Sequence, residues 1–377
     1  MTSPAADRER LEVFVNARNL TGPMTGIEVY MLELFGALAR TGRLDLTALS
    51  WSPLGLDLPG VREVVPVHRP QLADGALRAT LWKLWFDQWA CMRTVPRDRG
   101  IVVHGMGGFL PFALRRRDRA VVTVHDLGWQ AHPELYNRRV RLMYRSLFPW
   151  AVRRADRFIA VSRYTADDLM RRAGVPASKI DVVYHGLDAL FLSPPAGPSL
   201  FAGQEPYFLA VGGVSPRKNT RRLIEAFTRW SERGDRRGDY RLFITGTSLD
   251  LEFAAGAGLP PKVHLLGYVK KAELPGLYAG AAAFLYPGIY EGFGLPIVEA
   301  MACGAPVVTS TTGAAPEIAG GAAVLVDPFD VAGIEAGIEQ VTRPGEALRL
   351  RALGRERVRL FNWSAAAAAT IESYRAR

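Results

Sequence analysis

The chain has 377 residues, 49% of them hydrophobic and 22% charged, and a formal net charge of +10. That length exceeds one ordinary core and suits two, and the balance excludes a disordered or fibrous chain. Met1 to Arg10 mixes acidic and basic residues, no run approaches the ~18 apolar residues of a spanning helix, and the two cysteines, Cys91 and Cys303, form no CxxC pair, so a reducing, cytoplasmic setting is expected.

Apolar β-rich runs alternate with amphipathic stretches, the pattern of βαβ units in parallel α/β sheets. In the first half, strands are predicted at Glu12–Asn16, Asp45–Ser50, Ile101–His104, Val121–His125, Arg157–Val161 and Ile180–Tyr184. Helices are predicted at Ile27–Arg40 and Tyr164–Ala173, the latter opened by Ser162 as N-cap. The loop Thr21-Gly-Pro-Met-Thr-Gly26 precedes the first helix, and Gly26 would let backbone approach an acceptor or a phosphate; a plain turn accounts for it equally. Trp82, Trp85, Phe86 and Trp89 share one helix face, which suits core packing first and an acceptor or lipid contact second.

Thr123-Val-His-Asp126 ends a strand in His125 and Asp126, where a side chain can enter an interdomain cleft. His104 and His185 also follow apolar runs and are weaker candidates; His68, His132 and His264 suggest nothing specific. The stretch from Arg138 to Arg157 sets seven arginines around Phe148-Pro149-Trp150, a pattern shared by solvated helix faces and by segments that lie on an anionic membrane. Only six of the 47 basic residues are lysine, so the charge reads as arginine-rich composition and no nucleic-acid partner is expected.

From Leu190 the chain turns to Ser, Pro, Ala and Gly, which places a linker at 193–206 between domains 1–192 and 207–363. The second half predicts strands at Tyr207–Val211, Arg241–Thr245, Val263–Leu266, Ala283–Tyr286, Val307–Ser310 and Ala323–Val326, a helix at Thr220–Trp230, and a last, alanine-rich helix from Ser364. Val211-Gly-Gly-Val-Ser-Pro-Arg-Lys-Asn219 is a strand end followed by a glycine loop. Gly213 permits close approach there, and Arg217 and Lys218 suit a diphosphate whose charge grows as it departs.

The strongest motif is Glu291-Gly-Phe-Gly-Leu-Pro-Ile-Val-Glu299. Pro296 suits a first helical turn, so Glu291 stays in the loop while Glu299 projects from the helix start, and both can face one cleft. Carboxylates accept hydrogen bonds from vicinal hydroxyls of sugars and riboses, and a helix start favours a phosphate. No GxxxxGK[ST], HExxH, GxSxG or D-x-D occurs, Asp250-Leu-Glu252 being nearest to the last, so a metal-bridged diphosphate is not expected.

These motifs resemble those of the retaining GT-B glycosyltransferases that include bacterial polysaccharide mannosyltransferases, glycosyltransferase family 4; the likeness is closest from Val211 to Asp327 and looser from Val121 to Asp188. The resemblance implies two Rossmann-like domains with parallel sheets facing a central cleft, a final helix at 364–377 packed back on the first domain, and no bound metal or cofactor. The donor would be a nucleotide-diphosphate sugar, GDP-mannose being one candidate, and the acceptor a saccharide or lipid-linked saccharide. Glu291 would hold hydroxyls of the transferred sugar, Glu299 the ribose, and Arg217 and Lys218 the diphosphate. His125 would lie by the reacting centre, Phe293, Gly294 and Leu295 would offer backbone groups, and the Gly267-Tyr268-Val269 turn would meet the base. Thr25-Gly26-Ile27-Glu28 departs from the glycine-rich loop of many relatives by placing an acid there. A same-fold nucleotide-sugar epimerase and a non-catalytic sugar-nucleotide binding protein are the alternatives. The expected location is the cytoplasm, with peripheral contact at the inner face of the cell membrane.

Overall fold

The computed structural model describes residues 10–21, 26–68, 76–193, 205–234, 239–246 and 258–376. Most of the loop before Gly26, most of the linker at 193–206 and Asp250–Glu252 lie outside them.

Runs such as Val121-Val-Thr-Val124 and Ala283-Phe-Leu-Tyr286 are buried on successive residues, as in strands covered on both faces. The first sheet contains β1 (Leu11–Asn16), β2 (Leu44–Leu49), β3 (Val61–Val64), β4 (Val102–Gly105), β5 (Arg119–Val124), β6 (Arg157–Ala160) and β7 (Ile180–Val182) in the order β3-β2-β1-β4-β5-β6-β7. The second contains β8 (Tyr207–Val211), β9 (Arg241–Thr245), β10 (Val263–Gly267), β11 (Ala283–Tyr286), β12 (Val307–Ser310) and β13 (Ala323–Val326) in the order β10-β9-β8-β11-β12-β13. Every pairing is parallel. In each sheet the chain reverses its direction of winding once, between β1 and β4 and between β8 and β11. Crevices at the carboxyl ends of strands form at such points.

The helices are α1 (Gly26–Arg40), α2 (Ala76–Gln88), α3 (Gly128–Ala131), α4 (Arg138–Arg154), α5 (Arg163–Ala173), α6 (Ala189–Leu192), α7 (Thr220–Glu232), α8 (Leu274–Gly280), α9 (Leu295–Ala302), α10 (Ala315–Ala319), α11 (Val331–Val341), α12 (Pro344–Arg357) and α13 (Trp363–Arg375). Ser162 caps α5 by accepting from the Thr165 N–H, and Gly174 ends it in the left-handed conformation. The last helix, α13, returns to the first sheet. Its Ala366, Ala367, Ile371 and Tyr374 join Tyr30, Met31, Leu34 and Phe35 of α1 and Val13 and Val15 of β1 in one core. Tyr374 also bonds His104 Nδ1 at 2.8 Å, and His104 Nε2 meets Thr123 Oγ1 at 2.8 Å, so that histidine is a buried strut of the core.

Two expectations change. The edge strand β3 was not anticipated, because Val-Arg-Glu-Val is short and only half-buried. The aromatic face is not a single helix face either: α2 stops at Gln88, Phe86 is buried, Trp82 and Trp85 are half-buried, and Trp89 beyond the helix end is 50% exposed. Among the described residues no helix is long and apolar enough to cross a membrane.

Candidate active site

Neighbouring strands β8 and β11 send their following loops to the same point. Asn219 fixes the first loop: it adopts a left-handed φ of 58°, and its amide donates to the carbonyls of Pro287 (3.0 Å) and Pro328 (2.5 Å) beyond β11 and β13. The loop thereby delivers Arg217 and Lys218 onto Glu291. Arg217 Nη1 and Lys218 Nζ both donate to Glu291 Oε1, at 2.7 and 2.8 Å, and the Tyr286 hydroxyl donates to the same oxygen at 3.1 Å. Lys218 lies over the Tyr286 ring at 4.5 Å and bonds its hydroxyl. Burial opposes ionisation of Glu291, but the two cations overcome it and hold the carboxyl at about 2. Burial, with Arg217 alongside, pushes the Lys218 ammonium below its usual range, while Glu291 pulls the other way. Gly213 is buried beneath this cluster, its N–H donating to Thr245 O at 2.7 Å.

Across the cleft, His125 follows β5. A β-carbon added at Gly292 would lie 1.7 Å from the His125 carbonyl oxygen, so only glycine lets the Glu291 loop sit against this segment. The carbonyl of Gly292 accepts from the hydroxyls of Ser162 (2.7 Å) and Thr165 (3.2 Å), and the Tyr290 hydroxyl donates to Asp168 at 2.6 Å. His125 Nε2–H donates to Met106 O at 2.9 Å, and the Tyr30 ring stands edge-on to it at 4.7 Å. Burial pushes the imidazole below its usual range, so the neutral ring keeps its proton on Nε2 and an acceptor lone pair on Nδ1. Asp126 turns back into its own loop, accepting from Gly128 N–H (2.9 Å) and the Tyr136 hydroxyl (3.3 Å).

A second group lies at the start of α9. Gly294 is the N-cap with φ 93°, a conformation that favours glycine, and Pro296 occupies the first turn. Glu299 accepts from the Tyr278 hydroxyl at 3.0 Å. Burial raises its carboxyl to about 7, despite that bond and the charge of nearby Lys271. Lys271 itself bridges the two halves, pairing with Glu33 of α1 at 3.4 Å and with Asp188. Tyr268 is 76% exposed at the end of β10, while Phe293 is buried against the His185 ring at 4.4 Å, leaving only its backbone for a ligand. Leu295 opens α9, and Gly26 is exposed at the start of α1.

The structure therefore brings Arg217, Lys218 and Glu291 into one cluster, sets His125 and Asp126 against the next residue of the Glu291 loop, and places Glu299 one helical segment away. Sequence reading missed Tyr286 and Tyr278. Both end or flank apolar runs, and a tyrosine closing a buried strand beside a charged loop was the available signal. Among the described residues no cluster of three or more His, Cys, Asp or Glu side chains is arranged to hold a metal.

The Glu299 shift predicts a pH dependence. With Glu299 in the ribose-binding role expected of it, ribose hydroxyls would donate to the ionised carboxylate, and nucleotide affinity should be full above about pH 8 and fall as pH drops through 7. The dissociation constant of a nucleoside diphosphate should be about tenfold weaker at pH 6 than at pH 8. Glu299→Gln should bind weakly at both, and a wild-type profile matching that variant's rules the role out. In the ligand-free protein the sign is opposite. The folded state holds this proton more tightly than the unfolded chain, so its contribution to stability declines as pH rises from the usual 4.5 towards 7.

Two parallel, doubly wound sheets, each with its switch point at the carboxyl ends of its strands, are the architecture of the GT-B class of glycosyltransferases. The comparisons agree with that geometry. Residues 24–189 match the family model described as Glycosyltransferase Family 4, and residues 197–354 match Glycosyl transferases group 1. The chain is 32% identical to O-antigen chain mannosyltransferase B of Escherichia coli, over 94% of this chain and 96% of that one. It is 30% identical to O-antigen chain mannosyltransferase RfbU of Salmonella typhimurium, over 89% and 92%. Among solved structures, sucrose-phosphate synthase from Thermosynechococcus elongatus shares the fold with a TM-score of 0.71 at 22% identity, covering 97% of this chain and 98% of that one. The chain belongs to the family 4 glycosyltransferases.

Proposed function

We propose that this enzyme moves a hexose, mannose in the first instance, from a nucleotide-diphosphate sugar such as GDP-mannose to a saccharide or lipid-linked acceptor, with retention at the anomeric carbon and without a metal, in polysaccharide or glycoconjugate biosynthesis. The similarity to two O-antigen mannosyltransferases supports the sugar and the pathway class. The observation that carries the chemistry is the convergence of Arg217 and Lys218 on one oxygen of Glu291. With donor bound, the two cations turn to the diphosphate and Glu291 takes hydroxyls of the sugar. The bond from the anomeric carbon to the diphosphate oxygen breaks as the acceptor oxygen bonds that carbon from the same face, and the acceptor proton passes to the departing diphosphate. Arg217 and Lys218 stabilise the charge that collects there. The Nδ1 lone pair of His125 accepts from a hydroxyl of the same sugar. Residues 1–192, with the final helix, supply the acceptor side and 207–363 the donor side, joined by 193–206. The test is a panel of nucleotide sugars scored by thermal protection and by release of nucleoside diphosphate, with the anomer of the product read by NMR. Protection without turnover for every acceptor offered would favour a binding protein, and an inverted product would end the retaining assignment.

We further propose peripheral contact with anionic membrane at α4. Arg138, Arg139, Arg145 and Arg153 are exposed there beside Leu142 (66% exposed) and Met143. Arg154 and Arg157 do not belong to that face: Arg154 donates to the carbonyls of Arg115 and Asp118, and Arg157 pairs with Asp181. Co-sedimentation with phosphatidylglycerol vesicles should occur at low salt and fade by about 0.5 M, where the screening length is only a few ångströms. Absence of low-salt binding returns α4 to an ordinary solvated face.

A further inference from the structure

Glu317 lies on α10 in the second half of the chain, yet among the described residues the three groups that donate hydrogen bonds to its carboxylate all belong to the first. Oε1 accepts from the Arg163 backbone N–H at 2.8 Å and from the Tyr184 hydroxyl at 2.8 Å; Oε2 accepts from the Tyr164 N–H at 2.9 Å. Arg163 and Tyr164 are the first two residues of α5, whose N–H groups have no partner within the helix. Ser162 serves only the third, that of Thr165. The first turn of α5 is thus capped by one side chain from its own half and one from across the cleft.

That turn also holds the catalytic loop. Ser162 and Thr165 donate to Gly292 O, and Asp168 one turn on accepts from Tyr290, so the residues on either side of Glu291 are both fastened to α5. On its other side the loop is fastened to the segment that leads into α10: Thr312 Oγ1 donates to Ile289 O at 2.8 Å and Ala314 N–H to Glu291 O at 2.9 Å. Glu317 ties these two holders together. Arg357 holds α10 from behind, donating to the carbonyls of Glu317 and Ile318.

We propose that Glu317 is a positioning residue for transfer: by capping α5 from the opposite half it latches the cleft shut and sets Glu291 against His125. This rests on the glycosyl-transfer reading of the site. Among the described residues none of the hydrogen bonds of the Glu317 carboxylate reaches Arg217, Lys218 or Glu299, so the latch acts on turnover and leaves nucleotide binding to the second half alone.

The experiment compares wild type, Glu317→Gln, Glu317→Ala and Tyr184→Phe. Turnover should fall about tenfold in Glu317→Gln, which keeps one acceptor oxygen but loses the charge, and further in Glu317→Ala, which leaves both N–H donors without this partner. Tyr184→Phe, which removes one hydrogen bond and little volume, should lose about threefold to fivefold. Dissociation constants for GDP, UDP and ADP should stay within about twofold of wild type, since each 1.4 kcal/mol is tenfold and no nucleotide contact is removed. Small-angle scattering at saturating nucleotide should show a compact wild type and an expanded Glu317→Ala. Wild-type turnover in Glu317→Ala overturns the proposal, and so does a loss of nucleotide affinity in step with turnover, which would make Glu317 a local support of the second half. If wild type consumes no sugar nucleotide, the transfer reading fails instead. The scattering arm then still decides the latch: equal compaction overturns it and expansion upholds it.

Discussion

Glu291→Ala should reduce sugar transfer by two to three orders of magnitude, about 3–4 kcal/mol in transition-state terms, the scale of losing a preorganised polar contact at a reacting centre. The protein should still fold, with a lowered melting temperature because Lys218 is left buried without its carboxylate partner, since the loop backbone is held independently by Ala314, Ser162 and Thr165. The distinguishing outcome lies in nucleotide binding. In the free enzyme Glu291 occupies Arg217 and Lys218, so removing it releases two cations that a diphosphate then meets without competition. Nucleoside diphosphate should therefore bind as well as in wild type or more tightly while turnover collapses. Loss of nucleotide affinity together with activity would show that Glu291 serves the diphosphate side and not the transferred sugar.

The double replacement Arg217→Ala/Lys218→Ala should act in the opposite way. Both nucleotide affinity and turnover should fall, the latter by an amount on the order of 3 kcal/mol or more, since in the proposed mechanism two fixed charges are taken from the departing diphosphate at once. It also leaves Glu291 with burial and no countercharge, and breaking one partner from a buried pair costs up to about 3–5 kcal/mol of stability. Arg217 is one-third exposed, so its share is at the lower end. Adding Glu291→Gln to the double variant should restore part of the melting temperature and none of the activity, which separates the two effects. Wild-type transfer should persist in EDTA, and magnesium should not rescue the double variant. Abolition of wild-type activity by EDTA with recovery on adding magnesium or manganese would overturn the metal-free proposal.

The parts of this architecture that were legible in the sequence share a physical cause. Parallel strands covered on both faces read as near-continuous apolar runs, so β8, β9, β11 and β12 are found where Tyr207–Val211, Arg241–Thr245, Ala283–Tyr286 and Val307–Ser310 were predicted, and edge strand β13, still apolar as Ala-Val-Leu-Val, at Ala323–Val326. Edge strand β3 escaped because a half-exposed strand needs no such run. The neighbourhood of Glu291, Arg217 and Lys218 was suggested by two motifs, but their meeting on a single carboxylate oxygen depends on Asn219 reaching Pro287 and Pro328, a long-range contact that no local pattern announces. Glu317 and Tyr184 are further still from legibility. Each is an ordinary polar residue on its own segment, and their pairing exists only once the two halves face each other.

The return of α13 to the first sheet has a consequence for biosynthesis. A ribosome releases β1 through β7 long before Trp363–Arg375 is made, yet Tyr374 and Ile371 fill the core beside α1, and His104 finds its hydroxyl partner on Tyr374. The nascent first half therefore waits, with an apolar face of α1 uncovered and a buried imidazole lacking one bond, while the second half is translated and folds. Domains commonly mature in the order in which they emerge. Here that order is reversed at its last step: the part made first is the part completed last, and the interval is one in which a nascent-chain chaperone has a defined surface to shield.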